Sequence, residues 1–401
     1  MKKSHIDWCP VIPDHWEEKR IKDIAFLQSG NSITAMDIAE EGKYPVYGGN
    51  GLRGYTNNYT NDGDYVLIGR QGALCGNINY AYGKFYATEH AVVVYTKNEE
   101  ITYWLGETLK AANLYRLSMT AAQPGLAVST LNIQFIPYPP RKERIRIANY
   151  LAEKCTEIDH QESLLTSKRD AYLRLKKSII NHAVTHGLNP NVKMKDSGIE
   201  WIGEVPEHWE VKRMKDIFFE RKELSLTGEE DLLSVSEFYG VARRKDKMNS
   251  DEEFESRADS LVGYKICKAH DLVINIMLAW KTGLGISDND GIVSPAYAVY
   301  EGRNIASHFY HYLLRSGMYV KEFKRHSKGI IDSRLRLYND RFNNISAIYP
   351  PLPEQRAIAT YLDDKCAKID TIVSNLNKQI SRYGDLKRSL IDEVITGKRA
   401  V

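Results

Sequence analysis

The chain has 401 residues, 43% of them hydrophobic, with 55 Lys and Arg against 52 Asp and Glu. This is enough apolar content for two or three packed domains, and a net charge of +3 is too small for a globally basic nucleic-acid binder, so any cationic surface must be local. The opening MKKSHIDWCP lacks the plan of a secretion signal, and no apolar run approaches a bilayer span. The five cysteines (Cys9, Cys75, Cys155, Cys267, Cys366) are scattered with no C-x-x-C pair, which predicts reduced thiols in a cytoplasmic protein, without a disulfide frame or zinc site.

The first element, Ile6–Ile24, returns at Ile199–Ile217 with eleven of nineteen positions identical and no gap. A second echo, Tyr138–Asp159 against Tyr349–Asp370, lies 211 positions apart instead of 193, so the second copy carries 18 more residues in its middle. A fixed echo means one unit written twice. Within the opening, Asp14 and Glu17-x-Lys19 spell the letters of a P-D…E-x-K nuclease signature, as do Glu207 and Glu210-x-Lys212. A metal site needs its acids on converging strands. Here they fall within one turn after a proline, which predicts a capped surface helix, with Trp16 and Trp209 as anchors onto the domain.

The first variable segment reads strand, polar loop, strand over Asp64–Tyr80, then a loop entering a buried strand at ATEHAVVVY. Glycine-supported turns present Asn50, Arg53, Tyr55, Arg70, Gln71 and Asn77. Arg can pair bidentately with guanine, and Asn or Gln with adenine, in a major groove; for any one of these residues a generic polar loop fits equally well.

Pro137, Pro139 and Pro140 bar a helix before Arg141, and nothing interrupts it until Gly187. Apolar residues recur every seven positions at Leu151, Ile158, Leu165, Tyr172 and Ile179, a heptad row that reads as a coiled-coil seam. The companion row is poorer, with Glu162, Arg169 and Lys176. At about 1.5 Å per residue such a helix is roughly 65 Å long. His182 and His186 near its end lack the glutamate of a zincin motif and read as surface histidines.

The second variable segment repeats the layout at Asp271–Asp288 and VSPAYAVY with different loop residues, as expected of one scaffold presenting two binding surfaces. VARRKDK is a basic loop bearing Arg243, Arg244, Lys245 and Lys247; Lys281 lies in the next loop. Between Arg315 and Arg341 eight Lys and Arg face three acids, a phosphate-binding footprint that includes Lys328, Arg334 and Arg336. Pro350, Pro351 and Pro353 then bar a helix before Glu354. The second heptad row, Leu362, Ile369, Leu376, Tyr383 and Leu390, is the first displaced by 211.

No P-loop, adenine-methyltransferase tetrad or metal cluster is present in the sequence, so no catalytic constellation is predicted. The duplicated plan, the W-x-x-x-(I/V)-P-(D/E)-H-W openings and the helix start YPPLPEQRAIATYLDDK, together with DYVLIGRQGA, TEHAVVVY and VSPAYAVY, resemble the DNA specificity (S) subunits of type I restriction–modification systems over essentially the whole chain. The first copy's YPPRKERIRIA departs from the commoner helix start. The resemblance implies an α+β chain: two mixed α/β target recognition domains (1–140 with the opening segment, and 191–350), separated by two conserved helices (141–190 and 351–401) in an antiparallel coiled coil with pseudo-twofold symmetry. It implies that each domain reads half of a bipartite, asymmetric site on double-stranded DNA, that the helices set the spacer, and that two methyltransferase subunits dock on the conserved parts. S-adenosylmethionine would belong to those partners, and ATP and magnesium to any motor–nuclease subunits that join; this chain would hold no cofactor. The alternatives are an autonomous DNA methyltransferase or nuclease, which would bind S-adenosylmethionine or metal itself, and a scaffold binding only protein, which would show no salt-dependent DNA affinity.

Overall fold

The computed structural model describes residues 1–97, 101–118, 124–246 and 260–401. The chain divides into two compact units, Met1–Thr166 with Asn377–Val401, and Ser167–Leu376. The divisions cut two long helices, Arg141–His186 and Leu352–Ile395. Each unit therefore combines one globular domain, the start of that domain's own helix and the end of the other copy's helix. Among the described residues no helix is long and apolar enough to cross a membrane.

The helix boundaries follow from local chemistry. The first helix starts at Arg141, directly after the prolines. The second starts at Leu352, two residues earlier than predicted, with Pro353 inside its first turn. A first-turn N–H has no intrahelical acceptor, so proline is tolerated there. Both helices stop at glycine in the left-handed region, Gly187 at φ +75° and Gly397 at φ +72°. A Cβ on Gly187 would lie 3.2 Å from the Trp209 indole, and one on Gly397 3.0 Å from that of Trp16. These glycines supply both the backbone conformation and room for a tryptophan.

The opening segments are strands, not the predicted surface helices. Glu17–Arg20 pairs antiparallel with Phe135–Tyr138, and Glu210–Arg213 with Ser346–Tyr349. Only one helical turn follows, at Ile21–Ile24 and Met214–Ile217. The backbone ladder to the chain entering the long helix outweighs local helix preference. Lys19 adds a cation–π contact 4.0 Å from the Tyr138 ring, and Lys212 one at 3.5 Å from Tyr349. Trp16 and Trp209 are fully buried anchors, as predicted. His15 and His208 reach Glu143 and Glu354 on the first turns of the long helices, at 2.9 and 2.7 Å.

The departure at the first helix start has a structural equivalent. Gln355 donates to the Pro350 carbonyl at 2.8 Å, and its side-chain oxygen accepts the Ala306 N–H at 2.8 Å. Arg144, the residue 211 positions earlier, donates to the Pro139 carbonyl at 2.6 Å and stacks over Tyr138. Different side chains thus satisfy the same buried carbonyl.

Each unit is built around an antiparallel four-stranded sheet of the same order. In the first unit the order is Ala25–Ser29, Ala91–Thr96, Tyr65–Gly69, Ile78–Ala81; in the second it is Phe218–Glu220, Ala298–Gly302, Leu272–Ile274, Leu284–Ile286. The predicted strand–loop–strand segments are the last two strands of each sheet. The first unit adds a mixed sheet in which Tyr44–Gly48 pairs parallel to Lys84–Ala87.

The helices run antiparallel within each unit. In the first, Leu151, Cys155 and Ile158 share a core with Leu390, Ile391 and Val394, and Lys387 reaches Asp159 at 2.6 Å. In the second, Ala183 and Val184 share a core with Ile358 and Leu362, and Lys176 reaches Asp370 at 2.6 Å. The 211-residue offset carries Asp159 to Asp370 and Lys176 to Lys387, so each ion pair joins one copy's Asp to the other copy's Lys. Partly exposed pairs add little stability, about 0–1 kcal/mol; their effect here is to favour one register. All ten residues of the two heptad rows are buried or half-buried. The polar companions Glu162, Arg169 and Lys176 are half-buried as well, with long stems covering the seam. All five cysteines are free and buried.

Candidate nucleic-acid interface

In both units a hairpin is inserted after the first strand of the four-stranded sheet. Its tip rests on the loop joining the last two strands of the sheet order. In the first unit the hairpin is Tyr44–Gly48 with Gly51–Thr56, and the loop spans 70–77. The two meet backbone to backbone: a Cβ on Gly69 would lie 2.2 Å from the Gly49 carbonyl oxygen, so only glycine permits this approach. Asn77 Nδ2 donates to Asn50 Oδ1 at 3.2 Å across the junction. Asn50, Arg53 and Gln71 line an open cleft of about 480 Å³ with His90.

The other two predicted residues of this unit sit elsewhere. Arg70 is half-buried and donates to Ser29 Oγ at 3.2 Å, while its N–H donates to the His90 carbonyl at 2.9 Å. It braces the loop from behind. Tyr55 lines a separate cleft of about 650 Å³ with Met36, Asp37 and Tyr86.

In the second unit the hairpin is Leu233–Ser236 with Gly240–Arg243, and the loop spans 275–283. Thr282 Oγ1 donates to the Glu237 carbonyl at 2.7 Å. Arg315, at the end of helix Ser307–Leu314, donates to four carbonyls: Thr282 at 2.7 Å, Leu284 at 2.6 Å, Glu237 at 3.0 Å and Phe238 at 3.2 Å. Burial pulls its guanidinium below the usual arginine range. Beside it, His311 Nδ1 accepts the Ile286 N–H at 3.3 Å, which places the ring proton on Nε2. Burial, then Arg315 and His308, lower the His311 pKa to about 3, so the ring is neutral. His311, Arg315, Phe238 and Tyr239 line a cleft of about 730 Å³ with Arg174 and Lys177 of the first long helix.

The basic surface continues from this tip. Lys281 and Lys324 approach the Trp280 ring at 4.9 and 5.0 Å, and Lys324 pairs with Asp332 at 3.0 Å. Lys328 and Arg336 face each other across a two-residue antiparallel bridge, with reciprocal N–H to carbonyl bonds of 2.9 Å and exposed Arg334 between them. Gly329 closes this loop: a Cβ there would lie 2.6 Å from the Arg334 carbonyl oxygen.

The stretch predicted as a basic loop differs from that expectation. Arg243 ends a strand, and Arg244 and Lys245 lie in the turn Arg244–Asp246. Arg243 and Lys245 share one carboxylate, Asp231, at 3.4 and 2.7 Å, and the Lys245 bond holds that carboxyl below its usual range. This end of the hairpin is the one away from the tip. Lys247 lies outside the described residues. The sequence did not single out Phe238, Arg174 or Lys177, and counted Arg315 only as one charge of the basic stretch, not as the brace of the tip. Phe238 was signalled only by an aromatic pair before a glycine in a turn, and the two helix cations look like any solvated heptad face.

Among the described residues no group of three or more His, Cys, Asp or Glu is placed to hold a metal ion. A family model described as Type I restriction modification DNA specificity domain matches residues 13–164 and again 206–382. The chain is 23% identical over 418 aligned positions to the type I restriction enzyme MjaVIII specificity subunit of Methanocaldococcus jannaschii, covering 96% of this chain and 93% of that one. It is 42% identical over 139 residues to the EcoprrI specificity subunit of Escherichia coli, a match spanning 34% of this chain and 35% of the relative. A solved structure described as showing complex assembly and conformational transition of the type I R-M system shares the fold at a TM-score of 0.68, with 13% identity, over 97% of this chain and all of that one. Two matched segments cover most of the chain and coincide with the two copies of the repeat. This protein belongs to the type I restriction–modification DNA specificity family.

Proposed function

We propose that this chain is the non-catalytic DNA-recognition subunit of a cytoplasmic type I restriction–modification assembly, each unit reading one half of a bipartite site. One observation carries the reading: both units set a hairpin tip on the same inter-strand loop, yet fill that place with unrelated side chains. The first offers Asn50, Arg53, Gln71 and Asn77, whose amides and guanidinium suit base edges. The second offers Phe238 and Lys281 there, beside a separate basic loop of Lys328, Arg334 and Arg336 suited to phosphates. A shared scaffold with divergent tips is what reading two different half-sites requires.

The openings and helix starts, repeated in both copies, suit two identical partners. We take these to be methyltransferase subunits, which would bring S-adenosylmethionine; motor–nuclease subunits, using ATP and magnesium, would join the same assembly. The long helices, each contributing to both units, would set the spacer between half-sites.

The paired variant Arg334→Ala with Arg336→Ala tests the phosphate face. Its affinity for the methylated site is expected to fall uniformly across sequences, and the slope of log affinity against log salt to flatten by about 1 to 2. Unchanged affinity across a salt series removes this loop from the interface.

A further inference from the structure

We propose that Phe238 is a wedge that enters a base step of duplex DNA in the half-site read by the second unit, with Arg174 and Lys177 holding phosphates beside it. The proposal rests on reading this unit as a DNA-recognition domain.

Phe238 is 91% exposed. Surface phenylalanines on loose turns are unremarkable, but this turn is fixed. Arg315 clamps the carbonyls of both Glu237 and Phe238, and Thr282 bonds Glu237 as well. The same Arg315 holds the carbonyls of Thr282 and Leu284, so tip and inter-strand loop form one braced platform. A phenyl ring held out on a rigid support loses little conformational entropy on contact.

The surroundings favour a polyanion. Among the described residues Arg174, Lys177 and Arg315 have no carboxylate partner, whereas Lys176 between the two helix cations is taken up by Asp370. The cleft between tip and helix is therefore cationic on the helix side and aromatic on the other. Proteins that bind the DNA minor groove frequently insert an apolar side chain between base steps, partly unstacking them and kinking the duplex. Phosphates flanking the step would lie against Arg174 and Lys177.

Among the described residues the first unit carries no aromatic ring at the equivalent tip. Its equivalent tip is Gly49 and Asn50, with Asn50 already oriented by Asn77. One half-site would then be read through base edges and the other partly through how readily its sequence deforms. Deformation should appear in the second half-site alone.

The test uses the assembled complex and its methylated site, with 2-aminopurine placed in turn at each position of both half-sites. Away from the methylated adenines, which methyltransferase subunits extrude in both halves, binding is expected to raise fluorescence at one step of the second half-site and at none of the first. Phe238→Ala should abolish that signal and weaken binding by about 10- to 100-fold, while Phe238→Leu, still an apolar wedge, keeps the signal and most of the affinity. Because Phe238 is exposed, neither change should alter the melting temperature. Unchanged affinity and signal in Phe238→Ala overturns the wedge while leaving DNA recognition intact. So does an affinity loss with no unstacking signal in the wild type, which would mean surface contact only. A wild-type complex that binds no DNA overturns the function reading itself.

Discussion

Replacing Ala25–Phe135 with the same segment of another family member is expected to rewrite one half of the methylated site and leave the other half unchanged. Every side chain gathered at the first tip, Asn50, Arg53, Gln71 and Asn77, lies inside that segment. The parts that seat the unit lie outside it: Trp16 against the end of the second long helix, His15 on Glu143, and Arg144 on the Pro139 carbonyl. Each wrong base pair typically costs about 1–3 kcal/mol. A half-site differing at three positions therefore loses affinity for the old sequence by roughly a hundredfold or more. Sequencing of methylated adenines reads the result. A change in both halves, or loss of methylation in a complex that still assembles, contradicts independent units.

Trp209→Ala is expected to destabilise the second unit by about 3–5 kcal/mol, the usual cost of emptying a fully buried aromatic site. The indole packs where the first long helix ends at Gly187. Its Nε1 is buried without a partner, so Trp209→Phe forfeits volume but no hydrogen bond and should cost much less, about 1–2 kcal/mol. With two compact units, unfolding need not be a single transition. The loss should appear as an early denaturant transition absent from the wild type and from the Phe variant. An unchanged denaturation profile for Trp209→Ala would mean that the opening motif does not anchor its unit.

The parts of the fold legible in the sequence were those set by local or strictly periodic chemistry. Prolines ending at Pro140 and glycine at 187 bracket the first helix because each acts on its own backbone, and a seven-residue period needs no tertiary information. The opening segments were misread for the opposite reason. Glu17–Arg20 is a strand only because Phe135–Tyr138, over a hundred residues away, pairs with it. The candidate interface divides along the same line. Asn50, Arg53, Gln71 and Asn77 were visible because glycines cluster around them and those glycines permit a close backbone approach. That Arg243 and Lys245 share a carboxylate was not legible, because Asp231 stands twelve and fourteen residues away. Phe238 acquires meaning only when Arg315, from a different helix, is seen to fix the turn that carries it.

The central claim is that one duplicated chain supplies a bipartite DNA specificity. Its most direct test is the adenine methylome of cells with the gene intact, deleted and restored. The account predicts one motif made of two different short halves at a fixed unspecified spacing, lost on deletion and regained on restoration. A methylome that does not change, or a lost motif that is continuous or palindromic, would contradict it.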